Sequence, residues 1–94
     1  MNTIAIKYIY NSEKSAELSA HRPAHRRFLK SLFEAGKLLA SGPLGENEAL
    51  IILRAENIVT ALEMLTADPL YQENIILTRE AKIWQPVIGP WENN

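Results

Sequence analysis

"ALIILRAENIVTALEMLTADPL", residues 49–70, changes its hydrophobic period halfway through. The first part, "ALIILR", is a short apolar run rich in β-branched and aliphatic residues and reads as a strand with apolar side chains on both faces. The second part places Ile58, Val59, Leu62 and Leu65 at helical spacing, with Asn57 available as N-cap. Asp68-Pro69 ends that helix and caps one further turn. A strand followed directly by a helix is half of an alternating pattern, and the rest of the chain supplies the other half.

Upstream, "TIAIKYIY" (residues 3–10) puts Ile4, Ile6, Tyr8 and Tyr10 on one face at period two and Ala5, Lys7 and Ile9 on the other, which predicts a first strand. "NSEKSAELSAHR" (11–22) is polar and short of bulky apolar residues, so it reads as a loop leading to a helix that Pro23 opens as a first-turn residue. In that helix Phe28, Leu29, Leu32 and Phe33 form the apolar stripe, and Gly36 marks its end. His25 sits at the N-terminal end of the stripe, and His21 belongs to the loop. A short strand, a turn punctuated by Gly42, Pro43 and Gly45, and the "ALIILR" strand make a hairpin. "NIILTREAKIWQ" (74–85) alternates Ile75, Leu77, Ala81 and Ile83 against Ile76, Thr78, Glu80, Lys82 and Trp84 and reads as the last strand, followed by an irregular tail over 85–94.

The order β, α, β, β, α, β is the ferredoxin-like α+β arrangement, with two helices on one face of an antiparallel sheet. Because strand one and "ALIILR" carry apolar residues on both sides, the second sheet face needs a cover. An identical subunit placed sheet to sheet, a homodimer, is the simplest one.

Composition narrows the function classes. Ninety-four residues, 47% hydrophobic and 22% charged, suit one domain spanning 1–94, and a net charge of −1 with dispersed Lys and Arg offers no footprint for nucleic acid or an anionic membrane. Cysteine is absent, which removes disulfides, thiolate nucleophiles and thiolate metal ligands. No apolar run approaches the roughly 20 residues that span a bilayer, and the N-terminal segment has no cationic lead-in, so a cytoplasmic location is expected.

"RPAH" (Arg22–His25), "FLKSLFEAGKLLASGPL" (28–44) with Gly42-Pro43, and "ALIILRAENIVTALEMLTADPL" with Asp68-Pro69 together resemble the YciI-like (YCII-related) domain family, from strand one to Trp84. The resemblance rests on a histidine at the first helix, a small-Gly-Pro segment after it, and an Asp-Pro closing the second helix. It implies a dimeric α+β barrel of ferredoxin-like subunits, with an active site built around His25 and Asp68. It implies a fold more sharply than a reaction.

The residues themselves support a chemistry for that pair. An imidazole at a helix start feels the positive end of the dipole, and a carboxylate bonded to it fixes which ring nitrogen carries the proton. His25 and Asp68 within hydrogen-bond reach would form a general base with an orienting partner and no separate nucleophile, which suits proton abstraction, isomerisation or elimination on a small activated molecule. Arg22 at the helix mouth can pair with a carboxylate or phenolate through its planar fork, and backbone N–H groups at Ser41, Gly42 and Pro43's neighbours can hold a ligand oxygen. The expected partner is thus a small anionic or aromatic ligand.

Each residue also has a plainer role. His25 fits a half-buried helix start, Asp68 an N-cap, Ser41-Gly42-Pro43 a turn, and Arg26 and Arg27 a solvated surface. His21 and His25 share a helical face only if the stretch between them is helical, which Pro23 disfavours, so no metal site is expected. Nothing selects a haem ligand beyond the same His25, and no cofactor is expected. Trp84 and Trp91 read as core or dimer-contact aromatics. Two function classes follow: a lyase or isomerase using His25 and Asp68, or a small-ligand-binding accessory protein that uses the same pocket without turnover.

Overall fold

Two central strands organise the molecule, and the computed structural model describes residues 1–91. β1 (Asn2–Tyr10) lies between β3 (Glu48–Ala55) and β4 (Ile76–Trp84), and β2 (Leu38–Leu44) pairs with the outer side of β3, giving the antiparallel order β2-β3-β1-β4. Helices α1 (Ser15–Glu34), α2 (Ile58–Met64) and the single turn α3 (Pro69–Gln72) complete the chain order βαββαβ, a ferredoxin-like α+β fold.

Register decides which side chains meet the helices. Ile6 stands opposite Ile51 and Ala81, and Ile4 opposite Leu53 and Ile83. The alternation read from the sequence therefore aligns across three strands: Ile4, Ile6, Tyr8, Ile51 and Leu53 all point to one face and are sealed from solvent with Leu65, Leu70 and Ile75. The opposite face is half-covered. At its centre Lys7 lies 3.8 Å from Glu48 and 3.5 Å from Glu80, and towards the β2 edge Leu50, Ile52, Leu44 and Trp84 leave an apolar hollow of about 250 Å³. Trp91 reaches this hollow, its ring edge-on to Trp84 at 6.0 Å between centroids.

The first helix departs from the sequence reading. Residues 11–22 are not a loop. Asn11 accepts from the Glu13 N–H at 3.0 Å to start a short 3-10 turn over Ser12–Lys14, and α1 follows at once from Ser15 for 20 residues. Ala, Glu and Leu in "SAELSA" favour helix, and only Leu18 among these residues needs burial. The buried stripe of α1 is Leu18, His25 and Leu29, so one rung of it is a polar residue that an apolar pattern skips. Pro23 lies inside the helix rather than at its mouth. The carbonyl it leaves without a donor, that of Ser19, belongs to an exposed residue that water can reach, which is how an interior proline is tolerated here. His21 is therefore helical, not a loop residue, and His25 stands in mid-helix, away from the dipole end. The end of α1 does follow the sequence. Gly36 adopts φ 79°, its N–H donates to the Phe33 carbonyl at 3.0 Å, and the Lys37 N–H returns to Leu32 at 2.9 Å.

The Ser41-Gly42-Pro43 segment is not a turn but part of β2, with Pro43 opposite Ala49. β2 is a sheet edge, the one place in a sheet where a residue without an N–H costs no ladder bond. The turn itself comes after, around Gly45 at φ 65°. Asn57 caps α2 as expected, accepting from the Thr60 N–H at 2.8 Å. Among the described residues no helix is long and apolar enough to cross a membrane.

Candidate active site

Asp68 is fully enclosed, with none of its surface open to solvent. It follows the 3-10 turn Leu65–Ala67 and caps α3, its Oδ1 accepting from the Leu70 N–H at 3.0 Å. A carboxylate so placed needs donors for its remaining lone pairs, because an unpaired buried charge costs several kcal/mol. β1 and α1 supply them. The Tyr8 hydroxyl donates to Oδ2 at 2.9 Å, and His25 Nδ1–H donates to Oδ2 at 2.8 Å and Oδ1 at 3.0 Å.

This arrangement sets the tautomer of His25. A carboxylate only accepts, so Nδ1 carries a proton, and in the neutral ring Nε2 is the nitrogen that presents a lone pair. Nε2 has no hydrogen-bond partner among the described residues, yet no sealed side-chain polar atom there lacks one, so Nε2 opens to solvent. The opening is a cavity of about 830 Å³ between α1 and β2, within the size range of ligand sites. Arg22, His25, Ser41, Gly42 and Pro43 line it, and Asp68 lies beneath His25, off its surface. Leu29, Phe33 and Ile51 give the cavity its apolar wall.

Three further residues belong to this site and were not singled out from sequence. The sequence pattern places Tyr8 only on the apolar face of the first strand, although a phenol on the buried face of a central strand has to find a hydrogen-bond partner, and that requirement is the available signal. Tyr10, two residues on, shares the same face and reaches the cavity wall. Arg26, read as surface, lines the cavity as well, because the longer helix turns positions 22, 26, 29, 30 and 33 along one side. Arg27 remains on the surface. His21 points elsewhere: its Nδ1 lies 2.9 Å from the Glu17 carbonyl and its Nε2 3.9 Å from Glu73. Although helix joins the two histidines after all, His21 and His25 serve different partners, and among the described residues no three His, Cys, Asp or Glu side chains are grouped as a metal ion requires.

Burial raises the Tyr8 phenol well above its ordinary value, and the Asp68 charge and the hydrogen bond to it add to the effect. Burial also raises Tyr10, against the opposing positive charges of Arg22 and Arg26.

The sequence profile of the YCII-related domain matches residues 3–85. The chain belongs to the YCII-related domain family. No curated protein sequence matches it. Among solved structures this YCII-related domain is similar to 5-chloro-2-hydroxyhydroquinone dehydrochlorinase (TftG) from Burkholderia phenoliruptrix AC1100, in complex with 2,5-dihydroxybenzoquinone. That likeness has a TM-score of 0.76 at 15% identity, over 87% of this chain and 92% of that one. It is also similar to protein Atu4242 from Agrobacterium tumefaciens, at a TM-score of 0.53 and 22% identity over 93% and 94% of the two chains. At these identities the likeness is one of fold.

Because the folded YCII-related domain holds the Tyr8 proton more tightly than the unfolded chain does, unfolding releases it at alkaline pH. This contribution to stability is whole below the ordinary phenol value of 10.0 and is lost as pH rises above it. Tyr8→Phe is expected to lower stability at neutral pH by about 2 kcal/mol, the worth of a hydrogen bond to a charged group, and to flatten the alkaline decline. Urea unfolding between neutral pH and the alkaline range checks both; an unchanged midpoint at neutral pH would show that the Tyr8–Asp68 bond contributes nothing.

Proposed function

We propose that this protein is an enzyme of lyase or isomerase type, in which His25 moves a proton on a small activated ring compound and Asp68 orients and stabilises the imidazole. The observation that carries this reading is the buried Asp68–His25 bond ending in an Nε2 that faces a ligand-sized cavity. Nε2 takes a proton from a carbon or hydroxyl of the substrate, and the electron pair left behind moves into the ring. Either a leaving group then departs with its own pair, which is elimination, or the proton returns at another atom, which is isomerisation. The imidazolium formed in between is held by the carboxylate beneath it, already in place before the reaction starts. Ser41 has no hydrogen bond to His25 among the described residues, so the reading does not use it as an activated nucleophile. The similarity in fold to TftG, a dehydrochlorinase that holds a dihydroxybenzoquinone, supports a hydroxylated ring as the substrate class. Arg22, Ser41, Gly42 and Pro43 then form the wall against which the substrate lies.

A second copy of the chain covers the open sheet face in this proposal. That face carries Leu50, Ile52, Leu44 and Trp84 around the Lys7 ion pairs, an apolar border with a charged centre.

Chloride release from 5-chloro-2-hydroxyhydroquinone, together with proton exchange on a panel of dihydroxybenzenes and dihydroxyquinones, tests the catalytic reading. The wild type is expected to turn over at least one of them. His25→Ala is expected to lose about 10²–10⁴-fold in rate, the range for a missing general base, while keeping its helical content. It should also lose about 1–3 kcal/mol of stability, since one of the Asp68 donors goes with it. Turnover that survives His25→Ala contradicts the mechanism, and tight binding of these rings with no turnover by the wild type assigns the accessory role instead. For the assembly, sedimentation equilibrium at micromolar concentration should give a dimer that Leu50→Arg converts to monomer; a monomeric wild type contradicts the pairing.

A further inference from the structure

The side of α1 that carries His25 into the cavity carries two guanidinium groups with it. Arg22 and Arg26 are one helical turn apart and both line the cavity, with Lys30 a further turn along. Neither arginine has an ion pair or hydrogen bond among the described residues, whereas Lys7, His21 and His25 each face a carboxylate. Tyr10, from β1, lines the same cavity. Its hydroxyl too has no hydrogen-bond partner among the described residues, and as no sealed side-chain polar atom there lacks one, it opens to solvent beside the cavity. Among the described residues only Glu46, in the turn after β2, brings a negative charge to the lining. A chain with a net charge of −1 thus gathers three cations and a phenolic donor around one hollow.

Such a set is matched by one kind of ligand. Guanidinium groups that face a cavity without a protein carboxylate meet an oxyanion with short, charge-assisted bonds, and a phenol adds a third donor. Leu29 and Phe33 beside them offer an apolar surface on which the ring carrying that oxyanion can rest.

We propose that the cavity takes its ligand as an anion, a ring bearing a carboxylate, phenolate or enolate oxygen that Arg22, Arg26 and the Tyr10 hydroxyl bind together, with His25 Nε2 free beside it. This rests on the site proposed above and names its substrate class. It also gives the arginines a role in that reaction: a negative oxygen held between two guanidiniums is where the electron pair released by proton removal can accumulate.

Benzoate and benzamide, planar and nearly equal in shape but different in charge, are suitable probes, because neither undergoes the proposed reaction and binding alone is read. Titration calorimetry of the full chain at low salt is expected to show benzoate binding about tenfold or more tightly than benzamide. The preference should shrink as salt is added. Arg22→Gln with Arg26→Gln should abolish the preference without changing the circular dichroism spectrum, since both side chains are at least partly exposed. His25→Ala should retain it. Equal affinity for the two probes, no benzoate binding at millimolar concentration, or a preference that survives the double arginine variant would each overturn the proposal. None of these outcomes bears on whether His25 transfers a proton, which the turnover assay decides separately.

Discussion

A carboxylate with no access to water is the constraint around which this fold closes. Asp68 is expensive to bury and inexpensive only once three donors reach it, and they come from three separate parts of the chain: Tyr8 in the central strand, His25 in the middle of the long helix, and the Leu70 amide in the turn that follows Asp68 itself. Losing any one of them leaves part of a charge uncompensated in the interior. The polar cluster therefore fixes the relative position of β1, α1 and the α2–α3 junction more narrowly than apolar packing would, because Ile4, Ile6 and Leu65 could accept small slides that hydrogen bonds of 2.8–3.0 Å do not. The same bonds define the geometry of the candidate site. What stabilises Asp68 also orients His25, and what orients His25 sends its free nitrogen into the cavity.

Much of this was legible in the amino-acid sequence, and the parts that were not share a physical cause. Period two in "TIAIKYIY" and the unbroken apolar run in "ALIILR" marked the central strands because both bury one complete face. Asn57, Gly36 and Asp68-Pro69 marked helix ends because the backbone at those points has few other ways to satisfy its orphan groups. The first half of α1 was hidden because its buried stripe passes through His25 instead of a leucine, and because a proline in the middle looks like a beginning when the residues before it are polar. Gly42-Pro43 looked like a turn because that pair is common in turns, and only its position at a sheet edge shows why the strand accepts it. The pairing of His25 with Asp68 was what the resemblance to the YCII-related family implied, and the fold accommodates it because α1 and the α2–α3 junction pack on one face of the sheet. Tyr8 and Arg26 required more: the one depends on register, the other on where α1 starts.

The two faces of the sheet have been given different tasks. On the helix side the strands bury their aliphatic residues and a polar cluster, and the cavity lies between α1 and the edge strand β2. On the other side Lys7, Glu48 and Glu80 interrupt the apolar surface at its centre. The ion-paired centre lies inside an apolar border near the Trp84–Trp91 pair. A TM-score of 0.76 at 15% identity to TftG shows how little of the sequence this scaffold requires. Any shared chemistry has to be argued from the residues at the cavity, not from the fold that presents them.

The central claim is that Asp68 holds the proton of His25 on Nδ1 and leaves Nε2 as a free base. Two-dimensional ¹⁵N–¹H spectroscopy of the neutral imidazole rings, recorded above the pH at which they take up a second proton, reads this directly, because protonated and unprotonated ring nitrogens resonate far apart. The signals of His25 are predicted to show a protonated Nδ1 and an unprotonated Nε2, a pattern that averages towards that of a free imidazole in Asp68→Ala. A proton on Nε2 with a bare Nδ1 in the wild type would contradict the account.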